Sequence, residues 1–189
     1  MIAKSCSLIY LKISMPIDSQ KEFKAVNISI LTISDTRTET TDKSGQILAK
    51  KIREKGHGLK HKEIVKDDKE IIKKKLLEWC ATKDVDVIIT TGGTGLTGRD
   101  TTPEALEEIK DKEIPGFGEL FRLISYKKIG TSTIQSRAMA ILCNKKYIFA
   151  LPGSSGAVND AWEDILKYQL DSRFRPCNFI DLIPRLDEK

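Results

Sequence analysis

The chain has 189 residues, 40% hydrophobic and 31% charged, with a net charge of +5; this is the composition of one folded domain with a sizeable core. No apolar run approaches the ~20 residues of a membrane span, and the lysines are spread along helices with no aromatic-interleaved basic patch, so membrane and nucleic-acid partners are not expected. The cysteines Cys6, Cys80, Cys143 and Cys177 have no zinc-ligand or redox spacing, and two histidines, His57 and His61, are too few for a histidine metal cluster or a His-based triad.

Residues 1–24 stand apart. Leu8 to Ile13 is too short for the apolar core of a signal peptide. The segment reads as a poorly ordered extension, with Met15 as an alternative start, or else as an edge strand or oligomer arm. The folded domain is expected over 25–170 and an extended, proline-broken tail over 171–189. Val26 to Ile33 is nearly continuous in β-branched and apolar residues, the pattern of a strand buried on both faces of a parallel sheet. Ser34-Asp35-Thr36 ends it. A helix over Lys43 to Lys55 follows, stopped by Gly56. Leu59 to Val65 is a more polar strand, hence nearer an edge. Asp67-Asp68 precedes a helix whose apolar face is Ile71, Ile72, Leu76, Leu77, Trp79 and Cys80.

Val87 to Ile89 is the central strand. It runs into Thr90-Thr91-Gly92-Gly93-Thr94-Gly95-Leu96-Thr97-Gly98-Arg99-Asp100. Glycines here let a ligand approach the backbone closely, and successive N–H groups can cradle phosphate. Asp100 is the one carboxylate in this anion-suited loop, which calls for a cation between it and a phosphate, magnesium being the usual one. Thr102-Pro103 reads as a helix cap and first turn. Gly93 to Gly98 fits G-x-G-x-x-G in form, but it follows a third strand and its helix starts too late for a dinucleotide site. A P-loop would need Gly-Lys-Ser/Thr, which is absent.

After Ala105, Leu106 and Ile109 the helix is expected to break at Pro115-Gly116-Phe117-Gly118, with a second short helix over Glu119 to Tyr126. Gly130-Thr131-Ser132-Thr133 is a hydroxyl-rich turn. Ala138 to Cys143 and Tyr147 to Leu151 flank Asn144-Lys145-Lys146 and read as a β-hairpin. Pro152-Gly153-Ser154-Ser155-Gly156 is a second glycine loop before a helix over Ala157 to Leu170, with Trp162, Ile165 and Leu166 inward. The alternation predicts an α/β fold, a three-layer α/β/α arrangement on a mostly parallel sheet with one antiparallel hairpin. Ligands of such sheets lie beyond the carboxyl ends of the strands. The Ser34-Asp35 turn, Asp67, the Gly92 loop and the Gly153 loop all fall there.

No Ser-His-Asp set or activated cysteine is visible, so covalent catalysis has little to build on. Backbone donors, hydroxyls, Arg99 or Arg137, and carboxylates for a metal suit phosphoryl or nucleotidyl transfer. Asp35, Asp67 and Asp100 are the metal-ligand candidates. Asp67 reads equally as a helix N-cap, Asp35 as a turn former, and Arg137 as an anion clamp or a solvated surface arginine. From the loops alone, a generic nucleotide-binding module is also open.

Thr90 to Gly95 with Arg99-Asp100-Thr101-Thr102-Pro103-Glu104-Ala105 closely resembles the molybdopterin-binding domain family. Pro115 to Glu119, Ser136-Arg137 and Leu151-Pro152-Gly153-Ser154 continue the match in order. The tail, Gln169-Leu170-Asp171 and Arg175-Pro176-Cys177-Asn178-Phe179, resembles the branch of bacterial molybdenum cofactor biosynthesis protein B. The resemblance implies molybdopterin and ATP as substrates, magnesium as cofactor, and adenylyl transfer to molybdopterin with release of pyrophosphate. It further implies a cytoplasmic homotrimer or homohexamer that can meet other proteins of the cofactor pathway. By the same resemblance Asp100 and Asp67 match the two acidic positions of transfer and would hold the metal. Ser34, Asp35, Thr91, Gly92, Gly93, Thr94, Gly95, Ser132, Ser136, Arg137, Pro152, Gly153, Ser154 and Ser155 would seat pterin or nucleotide. Some members of the branch bind molybdopterin or nucleotide without efficient transfer, which is the alternative implied.

Overall fold

A computed structural model describes residues 16–188. Six strands form one sheet in the order β2-β1-β3-β6-β5-β4. These are β1 (Asn27–Ile33), β2 (Gly58–Val65), β3 (Val87–Thr91), β4 (Lys112–Glu113), β5 (Met139–Cys143) and β6 (Lys146–Leu151). β2, β1, β3 and β6 run parallel, whereas β5 pairs antiparallel with both β6 and β4. The β5–β6 turn is the expected hairpin, with Asn144 and Lys145 at φ 46° and 62°. The mostly parallel α/β architecture is as the sequence predicts, and polar β2 is at an edge.

Strand alternation divides the core between two faces. Ile28, Ile30, Val87, Ile89, Phe149 and Leu151 point to one side, where Leu48, Ile52, Phe117, Phe121 and Trp162 cover them. Leu31, Ile33, Ile88 and Ile148 point to the other, covered by Ile72, Leu76, Trp79, Cys80 and Leu106. Helices α1 (Lys43–Lys55), α4 (Pro115–Ile129) and α5 (Ser155–Ala161) thus supply the first layer, and α2 (Lys69–Ala81) and α3 (Thr102–Ile109) the second. Each fully buried large apolar side chain contributes roughly 1.5–3 kcal/mol, so these two layers hold the strand ends in place. Past α5 the helix continues through a π-helical turn (Trp162–Leu166) into α6 (Lys167–Gln169).

Two helix starts differ from expectation. α4 begins at Pro115, since proline at the first position lacks an N–H that would be unpaired anyway. Phe117 packs on Phe149 at 5.1 Å between ring centroids, which outweighs the two glycines. Gly118 is needed there, because a Cβ would lie 2.5 Å from the Ala138 carbonyl oxygen. In α2 the cap is Asp68, whose Oδ1 accepts from Glu70 and Ile71 N–H at 3.0 Å each. Ile71 and Leu77, assigned to its apolar face by spacing, are exposed.

Residues 16–24 meet the tail at the amino-terminal side of the sheet. Residues 1–15 of the expected extension, with its alternative start, lie outside the described residues. Within 16–24, Asp18 N–H donates to the Arg173 carbonyl at 2.9 Å and Lys24 N–H to Ser172 Oγ at 2.8 Å. Phe174 and Ile180 of the tail are buried, and a 3-10 helix runs over Ile180–Arg185. Asp171 is fully buried and receives Lys55 Nζ at 2.7 Å and the Arg173 guanidinium at 2.9 Å. Burial pushes this carboxyl up, but the Arg173 and Lys55 hydrogen bonds outweigh it and hold it well below the usual carboxylate range. A depressed folded value means stability that is present above the unfolded pKa of about 3.9 and is lost as pH falls through the folded one. Asp171→Asn is expected to lower stability at pH 7 by roughly 2 kcal/mol. Urea unfolding followed across pH checks this: the difference from the parent should shrink below about pH 4.

Candidate functional site

The parallel strands bring their carboxyl ends to one rim in the order β2, β1, β3, β6. The chain leaves β1 for α1 toward one side and reaches β3 on the other, so the rim between them is a topological switch point. Ser34-Asp35 follows β1, Asp67 follows β2, Gly92 to Asp100 follows β3, and Pro152 to Ser155 follows β6. All four expected segments are therefore adjacent.

The β3 loop is built by close backbone approach. Gly92 has φ 106° and Gly93 φ 64°, the left-handed region that suits glycine. A Cβ on Gly92 would lie 2.2 Å from the Ile33 carbonyl oxygen, and one on Gly93 2.3 Å from Thr102 Oγ1. Gly92 N–H donates to Leu151 O at 2.9 Å, and Thr91 Oγ1 to Pro152 O at 3.1 Å, which joins the two glycine loops. Thr102, read from sequence as a side-chain cap, instead turns its hydroxyl back to the Gly92 carbonyl at 3.0 Å.

Two carboxylates face this loop. Asp67 Oδ1 accepts from Thr101 N–H and Thr101 Oγ1 at 3.1 Å each, and its Oδ2 lies 2.9 Å from where a Gly93 Cβ would stand. Asp68 serves as the cap of α2, so Asp67 is available to the rim. Burial raises the Asp67 pKa first, the Thr101 hydrogen bonds act against it, and the charges of Asp100 and Asp35 raise it further. Asp100 Oδ2 accepts from Thr97 N–H at 2.9 Å and Thr97 Oγ1 at 2.6 Å, beside Gly95. Burial pushes Asp100 up, but the Thr97 and Gly95 hydrogen bonds and the Arg137 charge hold it below the usual range. Carboxylates that repel one another above a glycine backbone form a donor set of hard oxygens. Magnesium takes one or two carboxylates together with phosphate oxygens, so Asp67 and Asp100 fit that mode. Among the described residues no group of three or more His, Cys, Asp or Glu side chains could hold a metal by themselves.

Arg137 lies at the rim with its guanidinium turned inward. Nε donates to Gly95 O at 2.8 Å, one terminal nitrogen to Asp100 O at 2.7 Å, and the other pairs with Glu104. It fixes both ends of the Leu96–Arg99 tip, a bonded role beyond that of a solvated surface arginine. Arg137→Lys keeps the charge but loses the fork; expected results are faster hydrogen exchange at the amides of 96–100 and a stability loss of about 1–2 kcal/mol.

The remaining expected residues are less engaged with one another. Ser34 Oγ accepts from Thr36 and Arg37 N–H at 3.2 and 3.1 Å, within its own turn. Asp35 pairs with Arg99 across the rim. Thr94 is buried, and its carbonyl accepts from Arg137 N–H at 3.3 Å. Ser154 Oγ caps α5 through Ala157 N–H at 3.1 Å, and Ser155 is the first residue of that helix. Ser136 follows a 3-10 turn (Gly130–Gln135) in which Ser132 is exposed. Among the described residues no hydrogen bond ties Ser132 to the rim loops. Thr101 and Glu104 are the contributors that sequence reading missed. A pair of threonines between Asp100 and Pro103 was a usable signal for Thr101, and Glu104 stands in the same motif, but its pairing with Arg137 depends on a partner 33 residues away.

His57 and His61 sit elsewhere, His57 just before β2 with its Nδ1 accepting from Val26 N–H at 3.3 Å, and His61 stacked on Trp79 at 5.4 Å. Among the described residues no helix is long and apolar enough to cross a membrane.

Comparison with known proteins identifies the family. Residues 29–172 match the family described as "Probable molybdopterin binding domain". The chain is 50% identical over 158 residues to molybdenum cofactor biosynthesis protein B of Escherichia coli (strain K12), covering 84% of this chain and 93% of that protein. A crystal structure of a molybdenum cofactor biosynthesis protein B matches with a TM-score of 0.77 at 51% identity, over 79% of this chain and 94% of that one. The tungsten cofactor synthesizing protein MoaB from Pyrococcus furiosus matches with a TM-score of 0.68 at 35% identity, over 75% and 91% of the two chains. With residues 29–172 matched by the family and most of the chain aligned at this level of identity, the chain belongs to the molybdopterin-binding domain family.

Proposed function

We propose that this protein serves molybdenum cofactor biosynthesis as a molybdopterin adenylyltransferase, working on molybdopterin and magnesium-ATP. One observation carries the reading. Asp67 and Asp100 both stand against the β3 glycine loop, beside Gly93 and Gly95, at the switch point of the sheet, the rim where ligands of such folds bind. The names of the relatives, molybdenum cofactor biosynthesis protein B, support the pathway.

In the transfer, an oxygen of the molybdopterin phosphate attacks the α-phosphorus of ATP. The bond from that phosphorus to the bridging oxygen of the β-phosphate breaks, and pyrophosphate leaves with the electron pair. The attacking phosphate is already ionised, so no general base is required. The protein's part is positioning and charge. Glycines 92 and 93 let the strand end pack against Ile33 and Thr102 and so set the course of the loop, the Gly153 loop helps seat the nucleotide, and Thr97 and Thr101 fix the carboxylates. Magnesium, when held by Asp67 and Asp100 with phosphate oxygens, would neutralise charge on the phosphate chain. We extend the reading to a cytoplasmic homotrimer or homohexamer that can meet other proteins of the pathway.

A second reading, binding without transfer, is favoured by the hydrogen bonds that already engage both carboxylates. Incubating the purified protein with molybdopterin, ATP and magnesium separates the two. The first reading requires adenylylated molybdopterin and one pyrophosphate per product; saturable pterin binding with no pyrophosphate would replace it with the second.

A further inference from the structure

We propose that Arg99 is the side chain that grasps the polyphosphate chain of the nucleotide, and that Asp35 competes with that ligand for it. This deepens the adenylyl-transfer reading and rests on it for the identity of the nucleotide. The Leu96–Arg99 tip is exposed along its whole length. Its two ends are fixed, because Arg137 holds Gly95 O and Asp100 O. Within the tip Thr97 bonds to Asp100, while a Cβ on Gly98 would meet nothing within 4 Å. What crosses from the tip to the neighbouring loop is the Arg99–Asp35 ion pair, with the two side chains 70% and 35% exposed.

The guanidinia of the rim differ in what they can give up. Arg137 has its three nitrogens bonded to Gly95, Glu104 and Asp100, so releasing it would undo the loop. Arg37 donates to the Thr41 carbonyl at 3.2 Å within its own turn. Arg99 has an exposed carboxylate as its partner, and such a pair contributes little, about 0–1 kcal/mol. A polyphosphate presents more charge and more acceptor oxygens than one carboxylate, and guanidinium forks match it bidentately. Exchange of Asp35 for phosphate at Arg99 is therefore favourable and leaves the fold untouched. It also adds a cation to a rim where an incoming phosphate chain meets the carboxylates of Asp35, Asp67 and Asp100.

The competition has a signature that a structural clasp does not share. If the pair only holds the two loops together, removing either partner should weaken ligand binding alike. If Asp35 competes with phosphate, the two substitutions act in opposite directions. Calorimetric titration of the full chain with inorganic triphosphate, and separately with molybdopterin, is the test, using Arg99→Met, Arg99→Lys and Asp35→Asn. Triphosphate affinity should fall about tenfold or more in Arg99→Met and by less in Arg99→Lys. It should rise about two- to fivefold in Asp35→Asn, most at low ionic strength. Molybdopterin affinity should change by less than about threefold in each. The proposal is overturned if the parent does not bind triphosphate, if both substitutions weaken binding, or if Arg99→Met spares triphosphate and weakens molybdopterin. Because triphosphate binding requires no turnover, failure of adenylyl transfer would leave these results separately readable.

Discussion

Gly92→Ala should abolish ligand binding and cost more than about 4 kcal/mol of stability, an exceptional loss for one methyl group. Two effects combine. The φ of 106° is strained for any residue with a Cβ, at about 1–3 kcal/mol. The added carbon would also stand 2.2 Å from the Ile33 carbonyl oxygen, which is backbone of the adjacent strand and cannot rotate away. Relief requires parting β1 from β3 at their carboxyl ends, where β1 carries Ser34-Asp35 and β3 the glycine loop. Against a total stability of roughly 5–15 kcal/mol, much of the variant should unfold at modest urea concentration. Gly98→Ala is the control. Its Cβ meets nothing within 4 Å, and stability should stay within about 1 kcal/mol of the parent. Circular dichroism through a urea titration reads both.

Asp100→Asn should leave the fold intact and lower the rate of adenylyl transfer by about 10²–10³-fold. Asparagine retains one acceptor oxygen for Thr97, and Arg137 still holds the Asp100 carbonyl at 2.7 Å, so the loop keeps its course. What goes is the negative charge, and with it one hard ligand for a divalent cation. The same substitution should raise the magnesium concentration needed for half-maximal rate. A full-rate variant with an unchanged magnesium requirement would remove Asp100 from the chemistry.

Local physics made much of the fold readable. The run from Val26 to Ile33 read as a strand buried on both faces, and the polar residues of β2 put it nearer an edge, as the sheet order shows. Gly56, at φ 92°, stops α1 where its sequence position says it should. The rim followed from topology, since loops after parallel strands share one end of the sheet. What could not be read depended on distant partners. α4 begins through two glycines because Phe117 meets Phe149 and Gly118 touches Ala138, contacts that local propensity does not contain. The direction of Arg137 depends on where Gly95 O and Asp100 O lie, so sequence left it between clamp and surface. The choice between Asp67 and Asp68 as the α2 cap turned on one residue of helix phase. The burial of Phe174 and Ile180 likewise reflects packing across the length of the chain, which no pattern within the tail announces.

The most direct test of the site is a single-turnover measurement of pyrophosphate release from molybdopterin and ATP across a magnesium titration, with the parent protein beside Asp100→Asn and Asp67→Asn. A rim built for adenylyl transfer predicts magnesium-saturable release in the parent and a loss of about 10²-fold or more in each variant. Release that is equally fast in all three proteins, or that needs no divalent cation, would contradict the assignment of these two carboxylates to the chemistry.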